Sequence, residues 1–399
     1  MNNDDITTTL LLTEYFKYHE EYSKKYNNDK VLVLMQVGKF YETYGTNEIG
    51  PDLLQVQDLI NVLRTRNNKK VNKIDITNPY KLGFPTISLL KFLEMLVERY
   101  TVVIVDQTEN NNITSKNKLS KVRKITGIYS RGTFIENIEQ KGEKFITCIY
   151  ISEEKQKNST ILLSCGISSF DLSTGKVFLH ESHSSIYDVN YSLDEVARLL
   201  NTIDSKEIII FYNKNKNSNP KYDVHYILSY LNINQNICRF YDKPFENKYL
   251  KISYQNELLK KIYPNDKSFI EPIEFFNLED KIYSNVAFCL LIDFINDKNQ
   301  NLLKNLSHPA FYLDNNHLIL GNNALEQLNI FNYNNTHTTQ NQIKSLFDVI
   351  NKTSTPLGSR YLKSALSSPL INIEEITKIH DLTTIMLENN FYLKIEDVL

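Results

Sequence analysis

Four consecutive residues, Lys39, Phe40, Tyr41 and Glu42, set an aromatic pair between one cation and one carboxylate. Within one short segment they offer faces for stacking, a charged donor and a charged acceptor. A second concentration of chemistry runs from Lys116 to Arg131, where Lys116, Lys118, Lys121, Arg123, Lys124 and Arg131 occur with no acidic residue. Such a run can neutralise several phosphates with salt-dependent affinity, or it can be a flexible basic linker. Asp171 and Asp194 are candidates for a two-metal nuclease site, but Asp171 opens the sequence DLSTG, a turn in which aspartate is expected for local reasons. His180 and His183 are the one close pair among eight histidines, and a strand-to-loop setting reads them as surface polar residues rather than metal ligands. The four cysteines, Cys148, Cys165, Cys238 and Cys289, lie far apart without a Cys-x-x-Cys pair, which argues against a zinc ribbon or a disulfide framework. No phosphate-cradling Gly-x-x-x-x-Gly-Lys-Ser/Thr, no Gly-x-Ser-x-Gly and no Cys-His arrangement stands out.

The elements that must hold the first four residues are legible. Val31 to Val37 is apolar except for Gln36, the pattern of a strand covered on both faces. Gly38 ends it and permits a tight turn or a close backbone approach. Along an extended segment neighbouring side chains point to opposite faces, so Phe40 and Tyr41 are expected to diverge, Tyr41 into the domain. Upstream, Leu11, Tyr15, Tyr18 and Tyr22 make one face of a helix. Downstream, Pro51 to Leu63 is mixed and Arg64 to Lys73 reads as a basic loop. Gly83, Phe84 and Pro85 read as a loop opening a helix with Leu89, Leu93, Leu96 and Val97 on its buried face; Thr101 to Val105 then reads as a second buried strand.

Phe145 to Ile151, Thr160 to Phe170 and Lys176 to Leu179 read as strands, Leu193 to Leu200 as a helix and Glu207 to Tyr212 as a further strand; Asn213 to Asn219 is a low-complexity surface loop. Beyond Tyr254 the helical period dominates. Val286, Leu290, Ile292 and Ile295 belong to one long apolar helix that Leu302 to Leu306 continues. A second helix ends at Leu346, Val349 and Ile350, and Thr353 to Pro356 breaks the run. Gly358 permits tight packing as the next helix starts, with Leu362, Ala365 and Leu366 as its buried face, and Asn372 caps a last helix whose inner side is Ile376, Ile379 and Met386. A chain of 399 residues with 41% apolar content has room for two or three domains. Its 45 basic and 47 acidic residues leave a net charge of −2, so a nucleic acid would be held by a local patch. No segment approaches the roughly 18 apolar residues a membrane span needs, and the polar start MNNDDITTT is not a secretory signal. These features predict a soluble, intracellular chain with no membrane partner.

Gly38-Lys39-Phe40-Tyr41-Glu42 after an apolar strand resembles the mismatch-recognition motif of the MutS family of DNA mismatch repair proteins. The resemblance extends to Gly83 to Glu109, similar to the family's G-x-P, helix and V-A-I-C-E-Q-x-E passage. Thr86 and Ile87 stand where relatives often have Tyr-His, a difference read as one of packing and loop. The basic run leads to Ile128 to Thr133, which resembles Val-x-Pro-Gly-Thr with Arg131 in place of the proline. Phe311 to Ile330 resembles a short strand-like passage of the family, M-x-L-D-x-x-T-x-x-N-L-E-L, and Ser345 to Leu370 closely resembles its lever-core signature.

The resemblance implies a multidomain chain: an α/β mismatch-binding domain over residues 1–130, a ribonuclease-H-like α/β connector over 131–253, and the start of a mainly α-helical core or lever domain over 254–399, without the clamp and ATPase domains. It implies binding of double-stranded DNA at mispairs in DNA repair, Phe40 wedging beside a base and Glu42 hydrogen-bonding it. Lys39, Lys116, Lys118, Lys121, Arg123 and Lys124 are the candidates for the phosphate backbone. The chain alone is expected to be no enzyme, to hold no metal or cofactor, and to involve ATP and Mg only where an ATPase domain is supplied. That domain could come from further chain or from a partner; the expected protein partner is a second copy of this chain, in a homodimer, or a chain that supplies the clamp and ATPase domains. The alternative is a binder of junctions or recombination intermediates on the same scaffold; relatives of that class lack the Phe-x-Glu pair.

Overall fold

The computed structural model describes residues 3–26, 30–68, 71, 73–108, 122–134, 145–156, 160–203, 205–214, 222–242, 247–264, 270–312, 317–318, 320, 324–331 and 345–389. They form two compact units, Met1–Glu136 with Phe294–Leu302, and Asn137–Asp293 with Leu303–Leu399.

In the first unit, helix α1 (Asn3–Lys25) precedes the hairpin of β1 (Val31–Val37) and β2 (Phe40–Gly45). Then come α2 (Leu53–Ile60), a short β3 (Thr65–Arg66), β4 (Tyr80–Pro85), α3 (Leu89–Val97), β5 (Thr101–Thr108) and β6 (Val122–Tyr129). The six strands order as β3-β4-β2-β1-β5-β6, antiparallel except for β1 beside β5. The apolar run of β1 is explained by its two covered faces. Leu32 and Leu34 pack with Val56, Leu93 and Leu96 beneath α2 and α3. Val31, Val33 and Met35 pack with Leu12, Tyr15 and Phe16 of α1. Two sequence readings change. Gly83 to Pro85 is strand rather than loop, because β2 supplies an antiparallel partner residue by residue from Phe40↔Pro85 to Gly45↔Tyr80. The second half of the basic run is likewise strand, β6, paired along β5.

In the second unit, β7 (Phe145–Lys155), β8 (Ile161–Asp171) and β9 (Lys176–His183) form an antiparallel meander. They are followed by α4 (Tyr191–Thr202), β10 (Ser205–Asn213), α5 (Val224–Tyr230) and β11 (Cys238–Tyr241). The sheet order is β11-β10-β7-β8-β9-β12, the two-residue β12 (Ala310–Phe311) joining β9 in parallel. Ile149, Ile151, Leu163 and Ile167 meet Leu193 and Val196 of α4 and Ile227 of α5. The helices α6 (Ile252–Ile262), α7 (Pro272–Phe275) and α8 (Ile282–Asn299) follow, α8 passing into the first unit at Phe294. Helix α8 begins against β8 where Gly166 has no side chain; a Cβ there would lie 2.0 Å from the Tyr283 carbonyl carbon. The Glu181 carboxylate, from β9, accepts the Tyr283 and Ser284 amides at 2.8 and 2.9 Å and so caps that helix. The DLSTG turn forms as read: Asp171 accepts from Ser173 and Thr174, and Gly175 has φ +78°.

The remaining helices are α9 (Ala324–Gln327), α10 (Leu346–Ile350), α11 (Pro356–Ser367) and α12 (Ile373–Glu388). Thr355 caps α11 and Asn372 caps α12 through side-chain oxygens. Their apolar faces correct the expected burial. Ala365, Ile379 and Met386 are exposed, and Leu362, Leu366 and Ile376 are only half-buried. The helical period holds, but among the described residues those faces stay partly or fully open to solvent. Asn215 to Asn219 of the low-complexity stretch, and much of Phe311 to Ile330, lie outside the described residues.

Candidate nucleic-acid interface

The Lys39 to Glu42 segment is the tip and the start of the second arm of a two-residue hairpin. Val37 pairs with Phe40, leaving Gly38 and Lys39 as the turn. Gly38 alone of the two has positive φ, +64°. A glycine with that φ at the first central position is the requirement of a type II′ turn, whose twist matches that of the strands. Two further bonds fix the turn from its sides. The Thr86 amide donates to the Lys39 carbonyl at 2.9 Å. Gln36 donates to the Gly38 carbonyl at 3.2 Å and accepts the Gln107 amide at 3.0 Å. Gln36, which interrupts the apolar run in the sequence, thus ties the turn to the end of β5; a lone amide in a buried strand was the available signal for it.

Alternation along β2 then sorts the aromatics. Phe40 is 47% exposed and Tyr41 only 6%. The Tyr41 ring sits with Phe84 and the α2–α3 core, and its hydroxyl donates to Asp106 at 2.6 Å. Asp106 also accepts from Thr126 at 2.7 Å. Burial first, and then the Asp106 carboxylate, push the Tyr41 hydroxyl well above the ordinary phenol range. Glu42 is largely covered, with Tyr44 donating to one carboxylate oxygen and Lys81 lying 3.3 Å from the other. Tyr44 is buried against Tyr15, ring centroids 5.0 Å apart, and Tyr15 shares a 2.8 Å hydrogen bond with Thr43. Burial pushes the Tyr15 hydroxyl up to about 12. An exposed phenyl at a braced turn, backed by a held carboxylate, can stack on a flat face and offer an acceptor beside it.

The loop next to the tip differs from expectation. Ile87, read as a packing and loop position, is 96% exposed.

The basic candidates separate. Lys39 is exposed in the turn and Lys124 is exposed on β6. Arg123 is not: its side chain is 12% exposed and paired with Glu14 of α1 at 3.1 Å. Arg131 is paired with Glu98 at 2.9 Å. Lys116, Lys118 and Lys121 lie outside the described residues. The rival metal reading gains no geometry, since Asp171 is engaged by its own turn and Asp194 accepts from Tyr230 at 2.7 Å. Among the described residues no group of three or more His, Cys, Asp or Glu side chains is placed to hold a metal. Nor is any described helix long and apolar enough to cross a membrane.

Two stretches of the chain, the first of which contains this hairpin, match models of one known family. Residues 14–138 match the model of MutS domain I and residues 323–399 that of MutS domain III. The chain belongs to the MutS family and corresponds to the N-terminal region of its DNA mismatch repair proteins. A DNA mismatch repair mutS homolog of Acanthamoeba polyphaga mimivirus is 34% identical over 99% of this chain and 36% of its own length. The DNA mismatch repair protein MutS of Prochlorococcus marinus is 28% identical over 95% of this chain and 38% of its own. That of Thermotoga neapolitana is 26% identical over 92% and 37%. The chain therefore spans well under half the length of these relatives.

Proposed function

We propose that this chain binds double-stranded DNA at mispaired bases in mismatch repair, Phe40 entering the minor groove as a wedge and Glu42 accepting a hydrogen bond from the displaced base. The observation that carries this reading is the divergence at the tip: Phe40 exposed beside a braced type II′ turn while Tyr41 anchors the same strand. Unstacking a base step costs a few kcal/mol, less where pairing is already weak, and stacking on an aromatic ring returns about 1–3 kcal/mol. The difference between those terms favours a mispair over a paired step, and DNA kinks to let the ring in.

In this reading residues 1–130 are the mismatch-binding domain, 131–253 a ribonuclease-H-like connector and 254–399 the start of the helical core or lever. Lys39 and Lys124, with Lys116, Lys118 and Lys121, hold phosphates. Clamp and ATPase functions, with ATP and Mg, come from further chain or a partner, and the protein partner is a second copy of this chain, in a homodimer, or a chain that supplies those domains. The chain itself hydrolyses nothing. The test is the affinity of wild type and Phe40→Ala for one duplex with and without a mispair. Loss of most of the preference in Phe40→Ala is expected. An unaltered preference overturns the wedge, and a preference for junctions over mispaired duplexes makes the chain a structure-specific binder instead.

A further inference from the structure

Glu42 is held at both oxygens, and by residues on two strands. Tyr44, two residues on along β2, donates to Oε2, while Lys81 of β4 lies 3.3 Å from Oε1 as hydrogen bond and ion pair. Tyr44 is fixed by burial against Tyr15. Lys81 is placed by register, opposite Tyr44 across the β2–β4 pair. Gly83 stands opposite Glu42 itself, and a Cβ there would lie 3.1 Å from Glu42 Cγ and 3.0 Å from the Tyr41 carbonyl oxygen. The bare backbone at Gly83 lets the Glu42 stem lie across β4 within reach of Lys81.

We propose that Tyr44 and Lys81 are positioning residues for Glu42: the Tyr44 hydroxyl sets the orientation of the carboxylate, and the Lys81 ammonium is the counter-charge that lets it stand beside a polyanion. This rests on the reading of Phe40 and Glu42 given above. An ionised carboxylate has about four acceptor positions. The two interactions occupy one on each oxygen and leave capacity on both for a base edge. An unpaired carboxylate at that place would be repelled by the phosphates of any duplex, mispaired or not. Paired with Lys81 it presents a local dipole, so its acceptor strength is available with less of that repulsion. The tyrosine matters differently. A carboxylate free to rotate would spend conformational entropy on meeting the base, and the buried hydroxyl has already restricted it.

The experiment measures, by fluorescence anisotropy, binding of the chain to a labelled duplex with and without a single G·T mispair. It compares wild type, Tyr44→Phe, Lys81→Met, Lys81→Arg, Glu42→Ala, Phe40→Ala, and the first two substitutions combined with Glu42→Ala. Tyr44→Phe and Lys81→Met are each expected to lower the mispaired-to-paired affinity ratio about three- to tenfold, and neither to lower it further once Glu42 is alanine, the non-additivity of groups that act as a unit. Lys81→Arg is expected to keep the wild-type ratio. Equal losses with and without Glu42, or wild-type ratios in both single variants, overturn the inference and leave Tyr44 a core residue and Lys81 a surface cation. Phe40→Ala separates the two levels. If it abolishes the preference while Tyr44→Phe and Lys81→Met retain it, only the positioning role falls; if wild type shows no preference or Phe40→Ala keeps it, the wedge falls and the positioning role with it.

Discussion

At the scale of single residues, the opposite fates of Phe40 and Tyr41 make the clearest prediction. Phe40→Ala removes a ring that is half in solvent, so thermal stability should be almost unchanged while the preference for mispaired DNA falls by about 1–3 kcal/mol. Tyr41→Ala opens a cavity in the α2–α3 core and takes a donor from Asp106, and should cost about 3–5 kcal/mol in a denaturant melt. If instead Phe40→Ala melts the unit and Tyr41→Ala is silent, the aromatics have been assigned in reverse. Glu42→Ala should reduce discrimination while raising affinity for fully paired DNA, since it deletes an acceptor and a negative charge together. An unchanged affinity ratio counts against that role. The divergence itself was legible from the period of a strand. The ion pair of Lys81 with Glu42 was not, because Lys81 reaches the carboxylate only through the pairing of β2 with β4.

At the scale of elements, the basic run shows why charge counted along a sequence overstates a DNA-binding surface. Arg123 and Lys124 are neighbours on β6, and the strand turns one toward Glu14 of α1 and leaves the other exposed. Lys124→Ala should therefore reduce the slope of log affinity against log salt by about 1 with no change in melting temperature. Arg123→Ala should do the opposite, lowering stability at constant slope; equal slopes for both variants would reject the distinction. At the start of α8, Gly166→Ala should destabilise the second unit by overpacking, on the order of 1–3 kcal/mol, because the nearest atom is backbone that has little room to move. A melting temperature equal to wild type would show that α8 can shift freely. The strand β1 and the helix α3 were readable from their apolar periods. The strand β4 was hidden because Gly83 and Pro85 are turn-forming types, and only the β2 edge beside them makes an extended backbone favourable.

At the scale of the molecule, acid should act on the two units through different groups. In the first, burial pushes the His19 imidazole below its ordinary value, offset in part by a backbone bond at Val31. The unfolded chain then takes up the proton first, so stability should decline as pH falls below about 6.5, and His19→Gln should flatten that decline. In the second, His180 at 3.4 Å and Arg198 at 2.7 Å hold the Glu195 carboxyl at about 2. Its contribution is complete above the ordinary value of 4.5 and is lost as pH falls from there toward about 2; Glu195→Gln should remove that part of the acid transition. Melting curves of the two variants that parallel wild type throughout would refute both assignments. The sequence by itself determined the family, the buried strand β1, the turn at Gly38 and the helical period after Tyr254, because local pattern and motif carry those. Only the tertiary structure decided that Arg123 is spent on α1, that Ile87 stands in solvent and that Glu42 is clasped from β4, because each depends on which distant segment lies beside it, and strand pairing and burial are properties of the folded chain.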